Sequence, residues 1–165
     1  MCEHGSRVEP GVAGRNRRGG GAGQPDGWRW RVVLAVAAGG AVGASLRYGF
    51  DRAFPTDPGA FPWTTFSENA LGAFALGLAM VLITERLHSV RYLQPVLCTG
   101  VLGSFTTFSN MSVEAVGLVE AGRWSLGLVY LGGSVAAGLA AGLAGMAGAR
   151  WLNRRAERSL WKERT

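Results

Sequence analysis

The sequence predicts an all-α membrane protein with four transmembrane helices, the third of them broken near its centre. Each of four apolar stretches approaches or exceeds the ~20 residues that a helix needs to cross the hydrocarbon core of a bilayer. Polar and Gly residues crowd the middle of the third stretch, and short loops join neighbours, which favours antiparallel packing. The four stretches are Val32 to Phe50, Trp63 to Thr84, Leu93 to Val119 and Leu126 to Leu152.

The first span follows a basic Gly-rich tail, residues 1–29, which we predict to be disordered because it has too little apolar surface to fold alone. We expect no cleavage of a signal peptide, since the apolar pattern continues past the small residues at 35–40. Beside a membrane span, such a tail is interpreted as a topology anchor and not as a nucleic-acid ligand. Arg47 near the end of this span is either an interface anchor or a cation at an anion vestibule.

The second span carries two polar residues in its first half, Glu68 and Asn69. The two N–H donors of the Asn69 amide suit an unhydrated anion, although hydrogen bonding between helices is an alternative. Glu68 is a functional candidate as an ionisable residue near the membrane interior, unless it lies inertly at the interface. Because the two side chains point about 100° apart on a helix, we do not expect both to line one pathway.

The third span contains the segment from Gly100 to Met111, which holds two Gly, two Ser, two Thr and an Asn. Backbone of this kind is tolerated at membrane depth only where it is buried in protein or lines a wet cavity. We therefore predict a broken helix, a feature that holds small ions in other membrane proteins. Candidate pathway residues are the hydroxyls of Thr107 and Ser109 and the positive ring edge of Phe108. Glu114 follows the break and is expected to pair with Arg47 or a partner subunit, or to reach a vestibule.

The fourth span places Tyr130 and Ser134 four residues apart, so that they share a helix face with Gly138. A polar stripe on a membrane helix favours a lined pathway. The alternative is that the Ser hydroxyl bonds its own backbone.

Basic residues are distributed unevenly about the spans. Both termini and the second loop hold fourteen of the 17 Lys and Arg residues, while the other side holds only Arg47, Arg52 and Arg123. The positive-inside rule then predicts cytoplasmic N- and C-termini in a multi-pass protein of the cell membrane. Residues 153–165 form a basic cytoplasmic tail in this interpretation.

Enzymatic activity is not expected, because no nucleophile–base pair is visible and no metal set can be formed. Cys2 and Cys98 have no metal or redox spacing, and His4 and His88 are isolated. Two other function classes are alternatives for a small membrane protein of this kind. A small proton-coupled multidrug exporter needs a carboxylate deep in the first span, which has none there. A non-transporting membrane scaffold needs neither the break nor the polar stripe.

Four motifs in order together resemble the Fluc (CrcB-type) family of small fluoride channels. The resemblance covers all four spans and defines a channel domain over residues 30–152. The motifs are Gly39-Gly-x-x-Gly-Ala-x-x-Arg-Tyr48, Asn69-x-x-Gly72-x-Phe74 with Gly77, Gly103-Ser-Phe-Thr-Thr-Phe-Ser109 followed by Glu114, and Tyr130-x-x-x-Ser134.

The resemblance implies an antiparallel dimer of bundles with two pores and passive efflux of cytoplasmic fluoride, which confers fluoride resistance. It implies a structural sodium ion at the dimer centre, held by the backbone carbonyls of Gly103 and Thr106. It also implies a fluoride pathway past Asn69, Thr107, Phe108, Ser109, Met111, Tyr130 and Ser134, with a vestibule or charge-pairing role for Arg47 and Glu114.

Three positions depart from the family pattern. Met111 stands where the family often has a second Phe, and a thioether has no positive ring edge to offer an anion. Glu68 stands at a position that is usually apolar. Gly138 lies where some members continue the hydroxyl stripe with Ser.

The charge distribution bears on the second subunit. An antiparallel homodimer requires one chain to insert in both orientations, which needs a weak charge bias, whereas this bias is strong. We therefore expect the chain to pair with an oppositely oriented homologue, and otherwise with itself.

Overall fold

The computed structural model describes residues 26–86 and 92–162, with side chains described over 30–86 and 92–156. Every regular element within these ranges is helical. The long helices are α1 (Asp26–Ala53), α2 (Trp63–Arg86) and α5 (Trp124–Lys162). Between α2 and α5 lie two shorter pieces. The first, α3, is a π-helical stretch, Pro95–Leu102, continued by one α-helical turn, Gly103–Phe105, and the second is α4 (Phe108–Glu120).

The helices pack as two pairs. Helix α2 lies mainly against α5, and α1 lies mainly against α3, while α4 rests on α5. Small residues allow both pairs to approach closely, as in membrane bundles generally. A Cβ atom at Gly39 would lie 2.8 Å from the Val96 carbonyl oxygen, and one at Gly77 would overlap the backbone of Gly142. The close approach of α2 to α5 therefore requires a residue without a side chain at Gly77.

Polar contacts also join α2 and α5 where the C-terminal end of α2 lies beside α5. The Arg86 guanidinium donates to the backbone carbonyl of Asn153 over 2.9 Å. The side-chain amide of Asn153 donates to the Glu85 carboxylate over 2.5 Å. Asn153 is buried. These contacts bring the C-terminal end of α2 beside α5 near residue 153 and fix the axial position of one helix against the other.

Over its described residues the chain is an all-helical membrane protein, as predicted, and three of the described helices are long and apolar enough to cross a bilayer. They are Trp30–Ala53, Trp63–Arg86 and Trp124–Ala156. The segment predicted as a third span is interrupted at Thr106 and Thr107, so it forms two shorter pieces. The outer helices extend beyond the predicted spans, since α1 begins at Asp26 and α5 continues to Lys162. Predictions for residues 1–25, 87–91 and 163–165, which include Cys2, His4 and His88, lie outside the described residues.

The Gly77 contact gives a test of the packing. We expect Gly77→Ala to lower the apparent unfolding temperature in detergent, because the new methyl group meets backbone that cannot move aside. Overpacking of this kind costs about 1–3 kcal/mol. Gly49→Ala in α1 is the matched control, since a Cβ there meets nothing within 4 Å. Equal stability of Gly77→Ala and the wild type would contradict this packing.

Candidate ion pathway

The helix break is closed by one side chain from a neighbouring helix. The side-chain NH₂ group of Asn69, on α2, donates to the backbone carbonyl of Thr107 over 3.0 Å. The side-chain oxygen of Asn69 accepts the backbone N–H of Thr107 over 2.8 Å. The side chain thus satisfies both backbone polar groups of Thr107, as an adjacent β-strand would. At membrane depth an unpartnered backbone group is costly, so Asn69 makes the extended conformation of Thr107 possible.

Because the backbone N–H of Thr107 bonds to Asn69, the backbone carbonyls of the residues before it lose their helical hydrogen bonding or direction. In a continuous helix this amide would donate to the Gly103 carbonyl, four residues earlier, but here it donates to Asn69. Thr106 is extended as well, with φ −75° and ψ 148°, which turns its carbonyl away from the helical direction. The Thr107 hydroxyl then accepts the Asn110 amide proton over 3.2 Å and caps α4.

A groove of about 410 Å³ runs beside the break, between α2, α4 and α5. Its polar lining comes from α2, the break and α5, and the remainder is small or apolar. The lining residues include Asn69, Thr107, Phe108, Met111, Ser134 and Gly138. Helical spacing on α5 brings Ser134 and Gly138 to the same wall. The groove therefore collects residues that the sequence distributes over three separate segments.

The Ser134 hydroxyl is the unpartnered polar group in this groove. Ser134 is 6% exposed, and its oxygen has no hydrogen-bond partner in the described structure. It does not bond its own backbone, which is the usual alternative for Ser in a membrane helix. A buried hydroxyl without a partner is unfavourable unless something in the groove accepts its proton.

The other predicted pathway residues lie around this groove in different environments. The Phe108 ring is 74% exposed, whereas Met111 is 5% exposed and packs with Ala115 and Leu118. The Ser109 hydroxyl lies 3.2 Å from the Thr107 hydroxyl. Met111 thus presents a buried apolar wall at the groove, and Phe108 presents its ring on the outside of the subunit.

Tyr130 lies apart from the groove, in a cluster of hydrogen-bonded polar side chains. Its hydroxyl is fully buried and donates to one Glu114 oxygen over 2.5 Å. The Thr65 hydroxyl donates to the other Glu114 oxygen over 2.7 Å. We call Thr65, Glu114 and Tyr130 the polar cluster. The sequence prediction places Tyr130 with Ser134 on one pathway, and it does not include Thr65 among the candidate site residues. The signal for Thr65 was its position one helical turn before Glu68 and Asn69.

Glu114 also faces a second cavity, at the end of the bundle. This cavity, of about 600 Å³, lies between the loop that precedes α2 and the end of α4. Arg123 spans its rim by donating to the Gly59 carbonyl over 2.8 Å. Arg47 is half-buried and does not line the cavity, and no ion pair joins it to Glu114 in the described residues. Of the two predicted vestibule residues, the structure places only Glu114 at this cavity.

Comparison with known proteins adds an independent finding. Residues 34–146 match the family model described as "CrcB-like protein, Camphor Resistance (CrcB)". The chain is 44% identical over 127 residues to a Nocardia farcinica protein named fluoride-specific ion channel FluC 2, which covers 77% of this chain and 91% of that protein. It is 46% identical over 117 residues to fluoride-specific ion channel FluC 1 of Streptomyces coelicolor, covering 70% and 76% of the two chains. A Magnetococcus marinus relative, fluoride-specific ion channel FluC, is 45% identical over 104 residues, covering 62% and 85%.

The Asn69 contact predicts a local effect at the break. Asn69→Leu leaves the Thr107 amide and carbonyl without partners, which costs about 1–3 kcal/mol for each buried group. We expect faster hydrogen–deuterium exchange in the segment 103–110 of this variant. Ser67→Ala, a change on the same helix at a residue with no hydrogen bond to Thr107, serves as the control. Unchanged exchange at 103–110 in Asn69→Leu would show that another group supports the break.

Proposed function

The chain belongs to the CrcB family, and we infer from this membership and from the groove that it is a fluoride-specific ion channel. Its curated relatives are named as ion channels and not as enzymes. The protein is a multi-pass membrane protein, since three of its helices are long enough to span. The role that follows is passive efflux of fluoride from the cytoplasm, which limits fluoride toxicity.

One observation about the geometry carries this proposal, namely the buried Ser134 hydroxyl that has no partner in the groove. Fluoride loses most of its water on entering a narrow pathway, so weak donors have to replace that water without trapping the ion. A hydroxyl that no protein acceptor occupies is a donor of this kind. The second N–H of the Asn69 amide and the Thr107 hydroxyl border the same groove and extend the series.

The break also supports the proposal of a structural sodium ion. The carbonyl oxygens of Gly103 and Thr106 are suited to a small hard cation, as are those of unwound helices in transporters. The diversion of the Thr107 amide to Asn69 frees the Gly103 carbonyl from its helical donor. Two carbonyls do not complete a coordination shell, so the same pair from a second subunit would be needed. Sodium would supply positive charge between the two broken helices.

We propose that the second subunit is antiparallel and that it is an oppositely oriented homologue. The Phe108 ring supports the need for a second protein surface, because 74% of it is exposed in the single subunit and cannot there offer its edge within an enclosed pathway. The two pores of such a dimer would then differ, because Met111 places a buried thioether where the family often has an aromatic ring. The cell membrane, with both termini in the cytoplasm, is the proposed location.

The function is tested by fluoride efflux from liposomes, measured with a fluoride electrode and with chloride as the comparison ion. We expect rapid fluoride-selective efflux from the wild type when it is reconstituted together with an oppositely oriented homologue. We expect Ser134→Ala to slow it about tenfold, the effect of losing one hydrogen bond to an ion. The variant should keep wild-type stability, because Ser134 has no protein hydrogen bond to lose. Ser45→Ala, which removes a backbone contact on the exposed side of α1, is the control. Wild-type chloride flux equal to fluoride flux would contradict the function.

The orientation proposal predicts a single topology. A reporter fused to the C-terminus should show a cytoplasmic location only, because Arg150, Arg154 and Arg155 lie at the C-terminal end of the last span. Replacing these three residues with Gln should produce a mixture of orientations. Equal insertion of the unaltered chain in both directions would contradict pairing with a dedicated partner and would favour a homodimer.

A further inference from the structure

Glu68 is the ionisable side chain that the proposed pathway does not use. It is fully buried within the single subunit, with 0% exposure, and neither carboxyl oxygen has a hydrogen-bond partner. Glu68, Tyr130 and Thr65 are the largest fully buried side chains in the described structure. A carboxylate in such a place would be both desolvated and unpaired, which is among the least favourable states for an ion in a protein.

Charged and titratable groups face Glu68 from several of the helices packed around α2. Helix α1 contributes Asp51 and Arg47, α4 contributes Glu114, and α5 contributes Tyr130. Helix α3 holds only Cys98, on the π-helical stretch near the opposite end of α2. The surroundings therefore place two acids, Asp51 and Glu114, and one cation, Arg47, near Glu68.

The two interior Glu residues differ in their hydrogen bonds. Glu114 accepts hydrogen bonds on both oxygens, from Thr65 and Tyr130, which stabilises a carboxylate. Glu68 accepts none. Glu68 therefore has no hydrogen bond that would stabilise its charged form.

We propose that Glu68 is an internal proton-binding site that controls fluoride passage, so that the channel conducts with Glu68 protonated and is inhibited when Glu68 is ionised. The inference rests on the proposed function. The exchange is simple: a hydronium ion gives its proton to the Glu68 carboxylate, which forms one O–H bond and leaves one water molecule. The reverse transfer restores the charge.

The charge on Glu68 acts on the anion pathway from α2, the helix that also carries Asn69. The two residues are adjacent in sequence, and Asn69 lines the groove. A full negative charge on the residue adjacent to Asn69 repels an anion in the groove through a medium that screens poorly. Protonation removes that charge without moving any helix, so the control needs no conformational change.

The test is fluoride efflux from liposomes between about pH 6 and about pH 8, a range in which buried carboxyls commonly titrate. Protein-free vesicles measured in parallel correct for leak of neutral hydrogen fluoride. We expect wild-type efflux to fall about tenfold as the pH rises through this range. Glu68→Gln keeps the shape of the side chain and cannot ionise, so its efflux should stay fast at every pH. Glu120→Gln, at an exposed acid on α4, should keep the wild-type pH profile.

A second measurement reads the proton directly. In pH-difference infrared spectra, the C=O stretching band of a protonated carboxyl should be present in the wild type and in Glu120→Gln and absent in Glu68→Gln. Efflux that is equally independent of pH in the wild type and in Glu68→Gln would overturn the proposal, as would a band that survives in Glu68→Gln. Absence of fluoride flux at every pH, both from the wild type alone and from the wild type reconstituted with an oppositely oriented homologue, would instead count against the channel function, and the infrared band would still decide the proton site.

Discussion

The structure depends on the two hydrogen bonds between the Asn69 side chain and the Thr107 backbone. A helix in lipid cannot be interrupted unless another group takes over the polar backbone atoms that the interruption frees. A side-chain amide is suited to this because it carries a donor and an acceptor in the same arrangement as a peptide group. With Asn69 in place, the chain can turn outward at Thr106 and start α4 in a new direction. The groove, the cap of α4 and the released Gly103 carbonyl all follow from that turn.

Close helix packing and polar chemistry support each other in this bundle. Glycines at the crossing points bring the helix backbones together, which excludes water and lipid from the interior. In that environment each polar side chain needs a designated partner, and most have one: Thr65 and Tyr130 donate to Glu114, and Asn69 serves Thr107. Of the buried polar side chains that the structure describes, Ser134 and Glu68 make no hydrogen bond at all, and a mobile ligand would supply the missing partner of each. Fluoride would accept a hydrogen bond from the Ser134 hydroxyl. The Glu68 carboxylate would accept a proton from hydronium.

Sequence reasoning reached the broken helix because composition reports it: a run of Gly, Ser and Thr in an apolar segment is incompatible with an ordinary lipid-facing helix. Of the residues predicted to line a pathway, the groove is lined by Asn69, Thr107, Phe108, Met111 and Ser134. Spacing along α5 does not predict that the Tyr130 hydroxyl donates to Glu114 and lies away from the groove of Ser134. The rotation of α5 relative to α4 decides this, and that rotation is set by packing. The same limit applies to Glu68. Its 100° separation from Asn69 was readable, but what its face of α2 meets depends on α1, α4 and α5 together.

The most direct test of this account is solid-state NMR of the labelled chain in lipid bilayers. Backbone chemical shifts at Thr106 and Thr107 should be those of extended residues, between helical shifts on both sides. A through-space correlation should also connect the side-chain amide of Asn69 with the carbonyl of Thr107. Helical shifts running without interruption through the segment 103–110, with no such correlation, would contradict the central claim that a side chain of α2 holds the third segment open.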